Sequence, residues 1–320
     1  MPNTKEIKNR INSIKNTQKI TNAMYLISST KMRRAKEELD KARPYFELTG
    51  SEIKKLVRQA GKVTSRYFYP ETGRKKAETY AYLVITADKG LAGGYNHNVL
   101  KAAEEEMRKH KKVILYVVGE YGRQYFQKRN IPIAKSFLYT AQNPTFRRAR
   151  EIANVLLDIY DDPECDEIRV IYSNMAEMDC VVEKAKLLPF DRPEDSAKFI
   201  PGQDSAVRGE AKVGDTKAGA GNIRKEYDFF PSADAVIDSI VPSYVAGFIY
   251  GALVNSFCSE QNARMTAMKS ANDNAEALLG DLSVQYNRVR QAAITQEITE
   301  VAAGAKAQKN KRKREADPDA

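Results

Sequence analysis

The chain contains no tryptophan, only two histidines and only three cysteines in 320 residues. Cys165, Cys180 and Cys258 are scattered without CxxC spacing, and His97 and His110 cannot complete a structural zinc site with them. A disulfide scaffold and a zinc module are therefore excluded. No GxSxG elbow, HExxH pair or EF-hand loop is present either. The opening MPNTKEIKNRINSIKN lacks the apolar core of a signal peptide, and no run approaches the roughly 18 to 20 apolar residues that cross a bilayer. The expectation is a chain that is soluble, or at most peripheral to a membrane. What is present is 42% apolar residues, enough for a core, and 52 basic against 42 acidic residues. That balance of +10 favours an acidic partner, whether nucleic acid, anionic lipid or an acidic protein surface.

Glycine and proline are missing from Thr4 to Arg43, where good helix formers are frequent. Stepping by fours and threes from Ile7 gives Ile11, Ile14, Gln18, Thr21, Tyr25, Ser28, Met32, Ala35, Leu39, Ala42, Phe46, Thr49, Ile53 and Leu56. This is the period of a coiled coil. Pro44 is expected to kink the helix rather than end it, because the seam resumes at Phe46. A second seam runs through Cys258, Asn262, Met265, Met268, Asn272, Ala275, Leu279, Leu282, Tyr286, Val289, Ala293 and Gln296, in a helix expected from Ser243 to Ala303. Two lone helices, each with a narrow apolar stripe, are expected to pack antiparallel against each other.

Polar seam residues such as Gln18, Thr21, Asn262 and Asn272, with apolar residues one position off at Ile20, Met24 and Ile27, point to a third surface that contacts a partner; helix twist or packing on the middle of the chain is the alternative. Residues 1 to 34 carry eight bases against the single acid Glu6. Either the two helices complement each other in charge, or the Lys31, Arg33, Arg34 cluster faces acids on another molecule. The run Lys309, Lys311, Arg312, Lys313, Arg314 is expected to be a solvated, fraying tail.

Between the ends the texture changes. Ala81–Thr86 and Val113–Val118 are apolar runs of strand length, as for strands covered on both faces; Glu167–Tyr172 and Cys180–Leu188 fit two more. Asn98–Lys109, Glu120–Lys128 and Thr145–Tyr160 fit amphipathic helices, which makes a small layered α/β domain. Pro201–Asn222 is expected to be a mobile loop. The expected organisation is 1–58 coiled-coil helix, 59–230 central α/β domain, 231–305 coiled-coil helix and 306–320 basic tail.

Asp88–Asn96 (DKGLAGGYN) follows the first strand, where glycine amides often cradle phosphate, but it is neither GxGxxG nor GxxxxGK[ST]. A structural strand-to-helix turn is the expectation. His97 is read as a capping or surface residue, and His110, in KHKK, as part of a solvated face. Asp161, Asp162, Glu164, Asp166 and Glu167 read as a solvated turn rather than a metal cage.

Residues 7–11 (IKNRI), 16–24 (NTQKITNAM), 29–33 (STKMR), 42–45 (ARPY), 259–268 (SEQNARMTAM) and 286–300 (YNRVRQAAITQEITE) resemble the two shaft helices of the gamma subunit of F-type ATP synthase. The segment 86–96 resembles that family's central-domain loop. The resemblance implies an α/β protein in which a long antiparallel coiled coil of the N- and C-terminal helices joins a central Rossmann-like domain. It implies a non-catalytic shaft, one copy per complex, turning within an alpha3-beta3 hexamer and coupling proton translocation through a membrane c-ring to chemistry on the beta subunits. The epsilon subunit would sit beside the Rossmann-like domain, on the cytoplasmic face of a bacterial membrane, with no cofactor and no metal on this chain.

Carried over by position, the partner contacts are Met24, Lys31, Arg33, Arg264, Arg290, Gln291 and Thr295; an ordinary solvated helix face is the alternative for Arg264 and Arg290. Ala92 stands where the family often has Cys, the loop 201–222 looks expanded, and the extension after Ala305 looks long. No cysteine pair resembles that of the redox-regulated chloroplast type, so no thiol switch is expected. Two rivals remain on composition. A basic nucleic-acid scaffold would bind duplex DNA with a steep salt slope, and a nucleotide enzyme would bind ATP or a dinucleotide at the Gly90 loop.

Overall fold

A computed structural model describes residues 4–60, 63–68, 78–138, 140–161, 165–176, 179–191 and 229–316. The loop expectation for Pro201–Asn222, and Asp162 and Glu164 of the acidic cluster, lie outside the described residues. In chain order the elements are α1 (Thr4–Ala60), β1 (Thr79–Ile85), α2 (Tyr95–Met107), β2 (Lys112–Val118), α3 (Glu120–Lys128), β3 (Lys135–Phe137), α4 (Phe146–Asp161), β4 (Glu167–Ala176), β5 (Asp179–Leu188) and α5 (Ala233–Ala316).

The five strands form one mixed sheet in the order β3-β2-β1-β4-β5. β1 pairs in parallel with β2 and β4, and β2 with β3, while β5 returns antiparallel on β4. Alternation along β1 separates two cores. Tyr80, Tyr82 and Val84 join Val99, Leu100 and Phe126 under α2 and α3. Ala81, Leu83 and Ile85 join Ile152 and Leu156 of α4, Leu39 and Ile53 of α1, and Ile237, Val241, Val245 and Ile249 of α5. Both faces of β1 are thus dry, which is why AYLVIT is apolar at successive positions. β3 escapes sequence reading because three residues are too few to show a period.

The chain divides into two compact units, residues 28–265 and residues 1–27 with 266–320, so each long helix contributes to both. In the α/β unit, α1 and α5 run in opposite directions: Cys258 Sγ meets the Met32 carbonyl at 3.9 Å, the rings of Phe46 and Tyr250 lie 6.1 Å apart, and Thr64 donates to Asp234. A Cβ on Gly247 would stand 2.1 Å from Phe46, so this glycine makes room for the ring against α5. Asp234 also accepts the Thr64 and Ser65 amides, tying the exit of α1 to the first turn of α5. In the other unit Ile7, Met268, Ala275 and Leu282 are buried, and Thr21 Oγ1 donates to Asn272 Oδ1 at 2.5 Å.

Every residue of the first seam, Ile7 through Leu56, is buried or half-buried. The second is so from Cys258 to Val289, but Ala293 and Gln296 are exposed. Pro44 lies within a continuous α1. α5 begins at Ala233 rather than Ser243 and passes through Pro242; burial of Ile237 and Val241 holds the turns before the proline against its missing N–H. It continues to Ala316, so the segment expected to fray is helical. Good helix formers and bases near a helix C-terminus account for this. Contrary to expectation, α5 is long and apolar enough by composition to cross a membrane. Its apolar stretch is core in this fold, with Ile237, Val241, Val245, Ile249 and Leu253 all buried.

Candidate functional site

After β1 the chain builds β2 and β3 on one side and then crosses back to place β4 on the other, so the C-terminal end of β1 marks the switch point at which open α/β sheets usually take a ligand. Here the chain fills that position itself. Gly122 N donates to Thr86 Oγ1, Tyr121 N to the Ala87 carbonyl and Glu120 N to Asp88 Oδ1, so the first-turn amides of α3 that could have held a phosphate are bonded. Asn96 Oδ1 accepts the Ala87 amide from the other side. Gly119 (φ 96) is required at this corner, since a Cβ there would stand 2.4 Å from the Thr86 carbonyl oxygen.

Arg264 of α5 reaches the same place. Its Nη2 donates to the Gly90 carbonyl at 3.0 Å and its Nη1 pairs with Glu260 Oε1 at 2.6 Å. Burial pushes the Glu260 carboxyl above its ordinary range, with Arg264 pulling the other way. Tyr95, buried beneath, is pushed up by desolvation. Asp88 Oδ2 is buried without a hydrogen-bond partner among the described residues.

The seven expected contact residues fall into four groups. Arg264 is 9% exposed, which rules out an ordinary solvated helix face for it. Lys31 and Arg33 are exposed on α1, and Lys31 lies close enough to Glu260 to act on it electrostatically. Met24 is half-buried between exposed Ile20 and Ile27. Arg290, Gln291 and Thr295 are exposed on α5, where the Thr295 hydroxyl donates to the Gln291 carbonyl at 2.9 Å. The structure gathers Lys31 and Arg264 around Glu260, a residue that spacing alone did not single out. The i, i+4 interval from Glu260 to Arg264 was the available signal.

Several side chains differ from their sequence reading. His110 is not on a solvated face: its ring stacks on Tyr80 with centroids 3.6 Å apart. His97 is exposed in the first turn of α2, which begins at Tyr95 rather than Asn98 and has no side-chain cap. The acidic cluster is only partly a solvated turn. Asp166 Oδ2 accepts the Glu78 and Thr79 amides, while Glu167 is buried and pairs with Arg169. Glu106, also buried, draws in Lys109, Arg169 and Lys184. No metal-ligating cluster occurs among the described residues.

A family model described as ATP synthase matches residues 3–308. The ATP synthase gamma chain of Acetivibrio thermocellus is 39% identical over 312 residues, covering 97% of this chain and 100% of the relative. That of Caldanaerobacter subterraneus subsp. tengcongensis is 41% identical over 302 residues, covering 94% and 98%. Among solved structures, a chain from the Tetrahymena thermophila mitochondrial ATP synthase central stalk and c-ring superposes with a TM-score of 0.57 at 22% identity, covering 79% of this chain and 99% of that one, which supports the fold. With sequence identity at this level running from end to end of full-length relatives, the chain belongs to the ATP synthase gamma-chain family.

Proposed function

We propose that this chain is the non-catalytic central shaft of a bacterial ATP synthase. Its two long helices form an antiparallel coiled coil that turns inside a ring of three alpha and three beta subunits. The α/β unit lies beside the epsilon subunit and the membrane c-ring, on the cytoplasmic face of the membrane. Ion flow through the c-ring does the work, roughly 2.3 kcal/mol per charge per 100 mV, and rotation changes which beta subunit is pressed toward its closed state. ATP is made or hydrolysed on the beta subunits, and the internally bonded first turn of α3 is consistent with this division of labour.

The observation that carries this reading is that every residue from Arg290 to Lys309 is helical and exposed. Ile294, Ile298 and Val301 repeat at helical spacing along it and are 47%, 64% and 73% exposed. A helix with such a stripe and no cover of its own is marginal in water, so the reading supplies the cover from partner subunits. Met24, Lys31 and Arg33 would meet the lower opening of the ring, and Arg264, Arg290, Gln291 and Thr295 would contact the catalytic subunits.

The test is to assemble the chain carrying Ile298→Cys with alpha and beta subunits. One copy should co-purify per three alpha and three beta chains. Alkylation of the new thiol, mapped by mass spectrometry, should be at least about tenfold slower in the complex than in the free chain, as for a site open a tenth of the time or less. Equal alkylation rates would remove the enclosed-shaft reading.

A further inference from the structure

Glu260 and Arg264 sit one turn apart on α5, 5% and 9% exposed. The guanidinium is held at two points, by Glu260 Oε1 at 2.6 Å through Nη1 and by the Gly90 carbonyl at 3.0 Å through Nη2. Gly90 is a fixed acceptor. Its loop turns through Leu91 (φ 62) and Gly93 (φ 53) and is anchored by Asp88 on the Glu120 amide. Of the two holds the carboxylate is the stronger, because both partners are charged. An arginine kept this way is not available to another molecule until it lets go of its own chain.

We propose that Glu260 is a positioning residue that stows Arg264 against the Gly90 carbonyl, so that an acidic side chain of a partner subunit captures this arginine only by displacing Glu260. The groups facing Glu260 are Arg264 on α5, Asp88 in the loop after β1, Lys31 on α1 and Tyr95 on α2. Lys31 is the cation that remains when Arg264 leaves, and it offsets part of the cost of a buried, unpaired carboxylate. Stowing lowers the apparent affinity of any acidic partner by the fraction of time the arginine is free. A shaft contact of this kind engages and releases rather than gripping. The inference rests on the shaft reading for the identity of the partner, but the stowing itself is a property of the isolated chain.

Two measurements test it. In the full-length free chain, modification by phenylglyoxal mapped by mass spectrometry should be at least about tenfold slower at Arg264 than at exposed Arg33 and Arg290. Glu260→Gln should bring Arg264 up to their rate, and Glu260→Asp, which keeps the charge, should preserve most of the protection. In the assembled complex, Glu260→Gln should lower ATP turnover several-fold, because an unstowed arginine stays on its partner. In an Arg264→Gln background the same change should have no further effect.

Equal losses in both backgrounds, or unchanged turnover in Glu260→Gln, would overturn the proposal. So would an Arg264 that reacts as fast as Arg33 in the unmodified chain, a measurement that needs no variant to fold. Failure of the wild-type chain to assemble with alpha and beta subunits would instead strike the shaft reading, leaving the phenylglyoxal result standing.

Discussion

His110 lies over Tyr80, and its Nε2 is buried with no hydrogen-bond partner among the described residues. Burial, with Arg169 and Lys109 adding to it, lowers the imidazole from its ordinary 6.5, while Glu106 and Glu167 pull the other way. Between that lowered value and 6.5 the unfolded chain binds more protons than the folded one, so stability present above 6.5 is lost as the pH falls through this window. Denaturant midpoints measured from neutral to mildly acidic pH should therefore drop for the wild type and drop less for His110→Phe, which keeps the stacking. Identical slopes would show that the histidine titrates freely. The sequence hid this residue because KHKK shows only its lysine neighbours, whereas Tyr80 comes from β1 and Arg169 from β4. Arg264 was singled out from the sequence, but not its surroundings: its partner on α5 was visible at i−4, whereas the Gly90 carbonyl was brought to it only by the fold.

Among the elements, α1 was the most legible, since the period of its seam predicted inward positions from Ile7 to Leu56. Periodicity succeeds there because one continuous stripe decides burial for many turns. It was less successful at the ends of α5, where burial of Ile237 extends the helix backward and dipole-matched bases extend it forward. The polar layer Thr21–Asn272 shows that the seam is not optimised for stability. The single Thr21 hydroxyl proton lies within reach of both Asn272 Oδ1 and the Gln18 carbonyl, and it can be donated to either. Replacing the layer with Thr21→Val and Asn272→Leu should stabilise the chain by about 1 kcal/mol, since half-buried polar groups give way to apolar ones with no orphan left behind. Chemical unfolding of the isolated chain checks the sign. A lower midpoint would mean that the pair contributes to packing in a way the hydrogen bonds do not reveal.

For the molecule as a whole, the cysteines bear on regulation. Cys165 and Cys258 are buried and unpaired, and burial pushes each thiol up to about 11. Cys180, half-buried, lies against the Ser259 carbonyl and Asn262. A thiol held so far from its thiolate reacts slowly, so cycling the assembled complex between oxidant and reductant should leave its ATPase rate unchanged. A reversible change that disappears when all three cysteines are replaced would contradict this. The α/β class and the absence of a phosphate motif were legible at this scale from the apolar runs and the loop DKGLAGG. The sharing of one sheet face among α1, α4 and α5 was not, because it depends on contacts between residues distant in sequence.

At the head of β1, Thr86, Ala87 and Asp88 satisfy the amide groups that open α3. Amides that in many open α/β sheets face a phosphate are here taken up by the chain's own strand end. On the proposed shaft reading, any influence of nucleotide state on this chain would arrive through its contacts with neighbouring subunits.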